Sequence, residues 1–74
     1  PYSFHERIYV ERAIAAFAQS RRLPKEVVMQ GRFPVAARTR EGLCINIRGS
    51  AGGIGHVPIY CFDDSGNLTF HEER

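Results

Sequence analysis

Three turn-forming segments divide the second half of the chain and limit how it can fold. Arg40–Gly42 and Asp64–Gly66 each end in glycine, which is typical of tight hairpin turns, and the glycine-rich segment Gly49–His56 lies between them. The stretches between these segments have the length and apolar content of strands, and large apolar residues such as Leu43, Ile45 and Ile47 recur at every second position. The sequence therefore predicts a four-stranded antiparallel meander. Its strands are expected at about residues 33–39, 43–48, 57–62 and 67–72.

Symmetric closure of each turn gives a register, and the apolar residues test whether the registers agree. The predicted pairs are Thr39 with Leu43, Ala37 with Ile45, Val35 with Ile47, Arg48 with Val57, Ile45 with Tyr60, Leu43 with Phe62, Phe62 with Leu68, and Tyr60 with Phe70. All three turns then agree on one apolar face, which we expect to form the core. The predicted core residues are Phe33, Val35, Ala37, Leu43, Ile45, Ile47, Tyr60, Phe62, Leu68 and Phe70. The opposite, open face is predicted to carry Pro34, Ala36, Arg38, Cys44, Asn46, Arg48, Val57, Ile59, Cys61, Thr69 and His71, with Cys44 directly across from Cys61.

An amphipathic helix is expected before the strands. Ser3 and Glu6 are spaced as a capping box, and no Gly or Pro interrupts the predicted helix, residues 4–22. Spacings of three and four place the core-facing stripe at Val10, Ala13, Ile14 and Phe17. A second apolar stripe, formed by Phe4, Ile8 and Ala15, lies nearly opposite. We expect another segment or a second chain to cover it.

Residues 24–30 fit two structures. Pro24 and Gly31 suit the two ends of a short helix, whereas the β-branched pair Val27 and Val28 suits a strand. We expect a helical turn. Together these elements predict a single α+β domain, residues 1–74, with the first helix packed on one face of the meander in two layers, in the order α-β-β-β-β.

The charge of the chain is small overall but uneven. The net charge of +2 does not require a nucleic-acid partner. Residues 21–56 nevertheless hold seven of the ten Lys and Arg residues and only two of the eight acidic residues. The longest apolar run, Ala13–Ala18, is far shorter than the roughly 20 residues of a membrane span. We expect a cytoplasmic protein with no membrane contact.

The two cysteines, Cys44 and Cys61, are too few for a disulfide framework, and we expect two reduced thiols side by side. His5, His56 and His71 have no spacing typical of a metal site. No metal or cofactor is expected.

The open face is the first candidate site, because the chain has no second long helix to cover it. The predicted binding residues are Arg38, Arg40, Asn46, Arg48, Ile59 and His71. Sheets that read RNA present aromatic side chains for stacking, and the aromatic residues here are assigned to the core. We therefore expect a small binding or regulatory module that contacts a protein partner or a second copy of itself. An inhibitor shares these features, and nucleic-acid binding is the alternative.

A catalytic alternative rests on resemblance. Gly49–His56 lacks the Gly-Lys-Ser/Thr ending of a phosphate-binding loop, and we expect it to be a flexible connector. A helix followed by a four-stranded antiparallel sheet is similar in layout to small ribonucleases and toxin endoribonucleases, which cleave RNA with His, Glu and Arg and no metal. This resemblance implies His71, His56 and Arg48 as candidate catalytic residues. It extends to layout alone, so we expect binding rather than catalysis.

Overall fold

Residues 4–49 and 57–73 fold into two helices followed by four strands. The computed structural model describes residues 4–49 and 57–73, and the side chains of residues 6–49 and 57–72. The elements are α1 (Phe4–Arg21), α2 (Lys25–Val28), β1 (Arg32–Thr39), β2 (Gly42–Gly49), β3 (Pro58–Phe62) and β4 (Leu68–Glu73). The strands form one antiparallel sheet in the order β1-β2-β3-β4, and α1 packs against it. The predicted α+β meander is confirmed. The Ser3 capping box, His56 and the rest of residues 50–56 lie outside the described residues.

The predicted stripe of α1 faces the sheet. Val10, Ala13 and Phe17 are buried, and the next residue along, Ala18, is buried with them. They pack against the alternate residues of the two central strands, which are Leu43, Ile45, Ile47, Tyr60 and Phe62. On the second stripe, the side chains of Ile8 and Ala15 lie exposed on the surface.

The C-terminus of α1 is closed by a Schellman motif. Arg22 has a left-handed backbone with φ +58°, the conformation in which this motif reverses the chain. The N–H of Leu23 donates to the carbonyl of Ala18 (3.1 Å), and the N–H of Arg22 donates to the carbonyl of Gln19 (3.1 Å). The chain then enters α2, the predicted helical turn, whose Val28 is buried against the core.

The register between β1 and β2 differs by one residue from the prediction. Thr39 pairs with Gly42 and Arg38 with Leu43, because the turn contains two residues, Arg40 and Glu41, rather than three. A shift of one residue moves every side chain of a strand to the other face. The predicted core positions on this strand were therefore wrong. Phe33, Val35 and Ala37 lie on the open face, whereas Pro34, Ala36 and Arg38 lie on the helix side.

The register between β2 and β3 is confirmed, since Leu43 pairs with Phe62 and Ile45 with Tyr60. This ladder ends at the pair formed by Asn46 and Ile59, so the structure does not form the expected pair of Arg48 with Val57.

A β-bulge changes the last strand. Phe62 pairs with Leu68 as predicted, but Cys61 pairs with Phe70 and Tyr60 with His71, so Thr69 is the extra residue. The predicted pair of Tyr60 with Phe70 is therefore wrong. The bulge moves Phe70 to the open face and His71 to the helix side, reversing both predicted positions.

Asp63 organises the turn between β3 and β4. Its Oδ1 accepts hydrogen bonds from the N–H groups of Ser65 and Asn67, each 2.9 Å long. The Asn67 N–H bond is the largest influence on the pKa of Asp63 and holds it below its ordinary value. Arg12 of α1 reaches the same turn and donates to the carbonyl of Gly66 (2.7 Å).

We expect replacement of Gly42 by alanine to be strongly destabilising. Gly42 has φ +116°, and a Cβ there would overlap the carbonyl oxygen of Phe62 in the neighbouring strand. Gly42→Ala should lose at least about 2 kcal/mol of unfolding free energy in urea titrations. Gly49→Ala is the matched control, because a Cβ there meets nothing within 4 Å. Equal stabilities of the two variants would contradict this account of the turn.

The Asp63 turn predicts a loss of stability in acid. Because the folded-state pKa of Asp63 is below the unfolded value, its carboxylate stabilises the fold at neutral pH. That contribution disappears as the pH falls from about 4 through the folded-state pKa. Asp63→Asn keeps an acceptor oxygen but does not titrate. Its urea midpoint should therefore fall less than that of the wild type between about pH 5 and pH 2.5. Equal falls in both proteins would rule out this role.

Candidate functional site

The open face is the side of the sheet away from α1, and it is built by alternate residues of all four strands. Its members are Phe33, Val35, Ala37 and Thr39 on β1; Cys44, Asn46 and Arg48 on β2; Ile59 and Cys61 on β3; and Phe70 and Glu72 on β4. Phe33 is 45% exposed, and Ala37 and Arg48 are also exposed. Val35, Asn46, Ile59 and Phe70 are half-buried by their neighbours on the sheet. This surface is therefore largely apolar.

A disulfide bond lies at the centre of the open face. Cys44 and Cys61 are joined with an S–S length of 2.03 Å, and they pair directly across β2 and β3 as the register predicted. The expectation of reduced thiols is wrong. Opposite positions on neighbouring strands bring the two sulfur atoms within bonding distance, and both residues are buried. A cytoplasmic location stays a prediction, and the disulfide weighs against it, because such bonds are rare in reducing compartments.

A cavity of about 180 Å³ opens above the disulfide. Its lining residues are Thr39, Glu41, Cys44, Asn46, Ile59, Cys61 and Phe70. It therefore combines a carboxylate, a side-chain amide and an aromatic ring over an apolar floor. An amide and a carboxylate beside an aromatic ring suit a cationic group with an aliphatic stem.

Two threonines hold Glu41 at the rim of this cavity. Thr39 Oγ1 donates to Glu41 Oε2 (3.0 Å) and accepts from the N–H of Glu41 (3.1 Å). Thr69, the bulge residue, donates through its hydroxyl to the carbonyl of Glu41 (2.7 Å). Glu41 is thus fixed by residues from both edge strands. Its position depends on the two-residue turn and on the bulge, and the spacing of the apolar residues predicts neither.

The structure divides the predicted binding residues between the two sides of the sheet. Asn46, Arg48 and Ile59 lie on the open face as expected. Arg38 lies on the helix side, with Nη1 3.6 Å from Oδ1 of Asp64. Arg40 lies in the turn between β1 and β2. The expected position of His71 on the open face is wrong, because the bulge places His71 opposite Tyr60, on the helix side.

The candidate catalytic residues are not brought together. His71 stacks on the ring of Tyr60 with centroids 4.4 Å apart, on the side of the sheet opposite Arg48. The third candidate, His56, lies outside the described residues. Burial raises the pKa of the Tyr60 hydroxyl, although a hydrogen bond with Ser20 and the charge of Arg21 act in the opposite direction. The hydroxyl is therefore protonated at neutral pH and is a poor base.

The sequence predicts Phe33 and Phe70 in the core, but both lie on the open face. A two-residue turn formed by Arg40 and Glu41, in place of the three-residue turn, predicts Phe33 on the open face. Hydrophobic alternation gives no signal for the bulge at Thr69, because Thr69 is compatible with either face.

Across 4–49 and 57–73, no three His, Cys, Asp or Glu side chains are grouped so that they could hold a metal ion. None of the helices within these ranges is long and apolar enough to cross a bilayer.

No protein-family model, curated protein or solved structure matches this chain.

The disulfide should contribute substantially to stability. The bond closes a loop with a sequence separation of 17 residues, for which chain entropy in the unfolded state gives about 3 kcal/mol. Reduction should lower the urea midpoint of the wild type accordingly. The double variant Cys44→Ala/Cys61→Ala should start at a lower midpoint and show no response to reductant. If thiol titration shows that the wild type is reduced and its urea midpoint is nevertheless unchanged, this expectation is contradicted.

Proposed function

We propose that this protein is a binding module that contacts a protein partner through the open face. The observation that carries this proposal is the apolar surface formed by Phe33, Val35, Ala37, Ile59 and Phe70. A contiguous patch of apolar side chains on a small domain is more typical of an interaction surface than of a surface that faces water alone. The disulfide beneath them links the two central strands, so a partner would meet a surface that is already ordered.

The edges of the sheet support the face as the contact surface. In the sheet of the described residues, β1 is an outer strand and pairs with β2. It carries Pro34, whose nitrogen has no N–H to offer an added strand.

The second edge, β4, is interrupted by the bulge at Thr69. Bulges and edge prolines both hinder the addition of another strand. A partner that extends the sheet is thus disfavoured at both edges.

Charge favours a protein over a nucleic acid. Nucleic-acid affinity depends on several cationic side chains that contact phosphates. On the open face, Arg48 is accompanied by Glu72 and by the carboxylate of Glu41 at the cavity. Arg38 is on the helix side, and Arg32 extends over the ring of Phe17 in the core (5.0 Å from its centroid). The basic middle of the chain is therefore not gathered on the open face.

One observation supports nucleic-acid binding as a second candidate. Phe33 pairs with Arg48 at one end of the open face, and an exposed aromatic ring beside a guanidinium is suited to stacking on a base. The endoribonuclease alternative has no such support in residues 4–49 and 57–73, since His71 and Arg48 are on opposite sides of the sheet.

Site-specific photo-crosslinking tests the proposed function. A benzophenone-bearing phenylalanine analogue replaces Phe33 on the open face or, as the control, Ile8 on α1, which has a similar exposure of 41%. We expect a discrete protein adduct from position 33 in host cells, identified by mass spectrometry and sensitive to protease, and no such adduct from position 8. A nuclease-sensitive adduct at position 33 would replace the protein proposal by the nucleic-acid one. Equal labelling from both positions would show that the open face has no special role.

A further inference from the structure

We propose that the partner of the open face is a second copy of this chain, and that Arg48 of each copy enters the cavity above the disulfide of the other. This inference rests on the proposed function and names its partner. The two open faces would stack against each other. The two-fold axis that relates the copies would lie in the plane between the two sheets, run perpendicular to the strands and pass next to Asn46.

The chemistry of the cavity matches the side chain of arginine. Glu41 supplies a carboxylate at the rim, Asn46 an amide oxygen and Phe70 an aromatic ring. Guanidinium groups bind carboxylates and amide oxygens through several N–H donors and stack on aromatic faces. The hydrogen bonds from Thr39 and Thr69 hold Glu41 in place before binding, which lowers the entropy cost of the contact.

The spacing along β2 places the arginine over the cavity. Cys44, at the floor of the cavity, and Arg48 are four residues apart on the same face, or about 13 Å along the strand. Asn46 lies midway between them. A two-fold axis across the strands at Asn46 reverses the strand direction, so Arg48 of one copy lies over Cys44 of the other. The two Asn46 amides meet at the axis, where each can donate to and accept from the other.

The apolar residues of β1 are complementary under the same operation. Phe33, Val35 and Ala37 are level with Arg48, Asn46 and Cys44, respectively. The axis therefore places the large Phe33 of one copy over the small Ala37 of the other, twice, and Val35 over its own equivalent. On β3, Ile59 is level with Asn46 and meets its own equivalent as well. Large-over-small packing of this kind allows two sheets to approach closely.

Glu72 provides a test of the axis direction. It pairs with Ile59 and is therefore level with Asn46, on the outer strand β4. An axis across the strands brings the two Glu72 side chains together at the solvated rim, where they repel each other. An axis along the strands would instead place Glu72 over β1 of the other copy, near its Arg48, where the contact is favourable.

The size of the open face indicates a weak dimer. Four strands about 4.8 Å apart and six residues long span roughly 19 Å by 20 Å. The projected area is about 380 Å² per copy, or about 760 Å² in total, which is below the roughly 1,200 Å² of stable specific interfaces. We therefore expect a weak dimer that forms at micromolar rather than nanomolar concentration.

Charge exchange tests the contact between Arg48 and Glu41. Sedimentation velocity over a concentration series compares the wild type with Arg48→Glu, Glu41→Arg and the double variant that carries both changes. We expect a wild-type dimer, a dissociation constant raised at least roughly tenfold in each single variant, and recovery to within a few-fold in the double variant, whose charges are exchanged rather than removed. Arg38→Glu makes the same charge change on the helix side and should leave the dimer unchanged. Circular dichroism and thiol counting confirm that each variant is folded and oxidised.

Each remaining outcome decides between specific alternatives. Glu72→Gln should tighten the dimer or leave it unchanged; weakening would overturn the axis at Asn46. A wild type that is monomeric throughout the series, or a double variant as weak as the singles, would overturn self-association by this contact. If the wild type is monomeric but position 33 still crosslinks to another protein, the proposed function stands and only the second-copy inference fails.

Discussion

The close approach of Gly42 to the carbonyl of Phe62 is the constraint on which the two faces of the sheet depend. Because no side chain fits at this point, the glycine must stand at the first position of β2, and the turn before it is limited to Arg40 and Glu41. The length of that turn fixes the register of β1, and the register decides which side chains of β1 contact α1. The part of the open face that β1 contributes thus follows from a single backbone contact between β2 and β3.

The elements of the fold were predictable to different degrees for physical reasons. The helix stripe and the central ladder carry most of their large apolar residues on one face, so burial fixes their orientation, as for Ile45 and Tyr60. In β1 both alternating sets are moderately apolar: Phe33, Val35 and Ala37 on one face, and Pro34 and Ala36 on the other. Hydrophobicity does not distinguish the two registers there. The length of the turn decides between them. That length depends on the backbone conformation of Gly42, which the alternation of apolar and polar residues does not indicate.

The candidate site shows the same division. Asn46, Arg48 and Ile59 lie on or beside the central ladder, and their face could be predicted. Arg38 and His71 lie on the edge strands, where one additional or missing residue reverses the face. Cys44 and Cys61 were predicted to be neighbours, but their oxidation is a question of chemical environment, which spacing does not report. Glu41 enters the cavity only because two threonines from opposite edges hold it, and contacts between distant strands leave no local pattern in the sequence.

The disulfide also changes how the domain carries mechanical load. The covalent path between the two ends of the chain runs from β2 to β3 through the sulfur atoms of Cys44 and Cys61, and it bypasses the backbone between them. When the ends are pulled apart, residues 45–60 bear no tension while the bond is intact. The parts of both central strands that lie between the two cysteines in sequence hold Ile45, Ile47 and Tyr60 of the core, and they are therefore shielded from extension. Only α1, α2, β1 and β4, together with the outer ends of the central strands, can be drawn out, so the oxidised domain yields from its periphery inward.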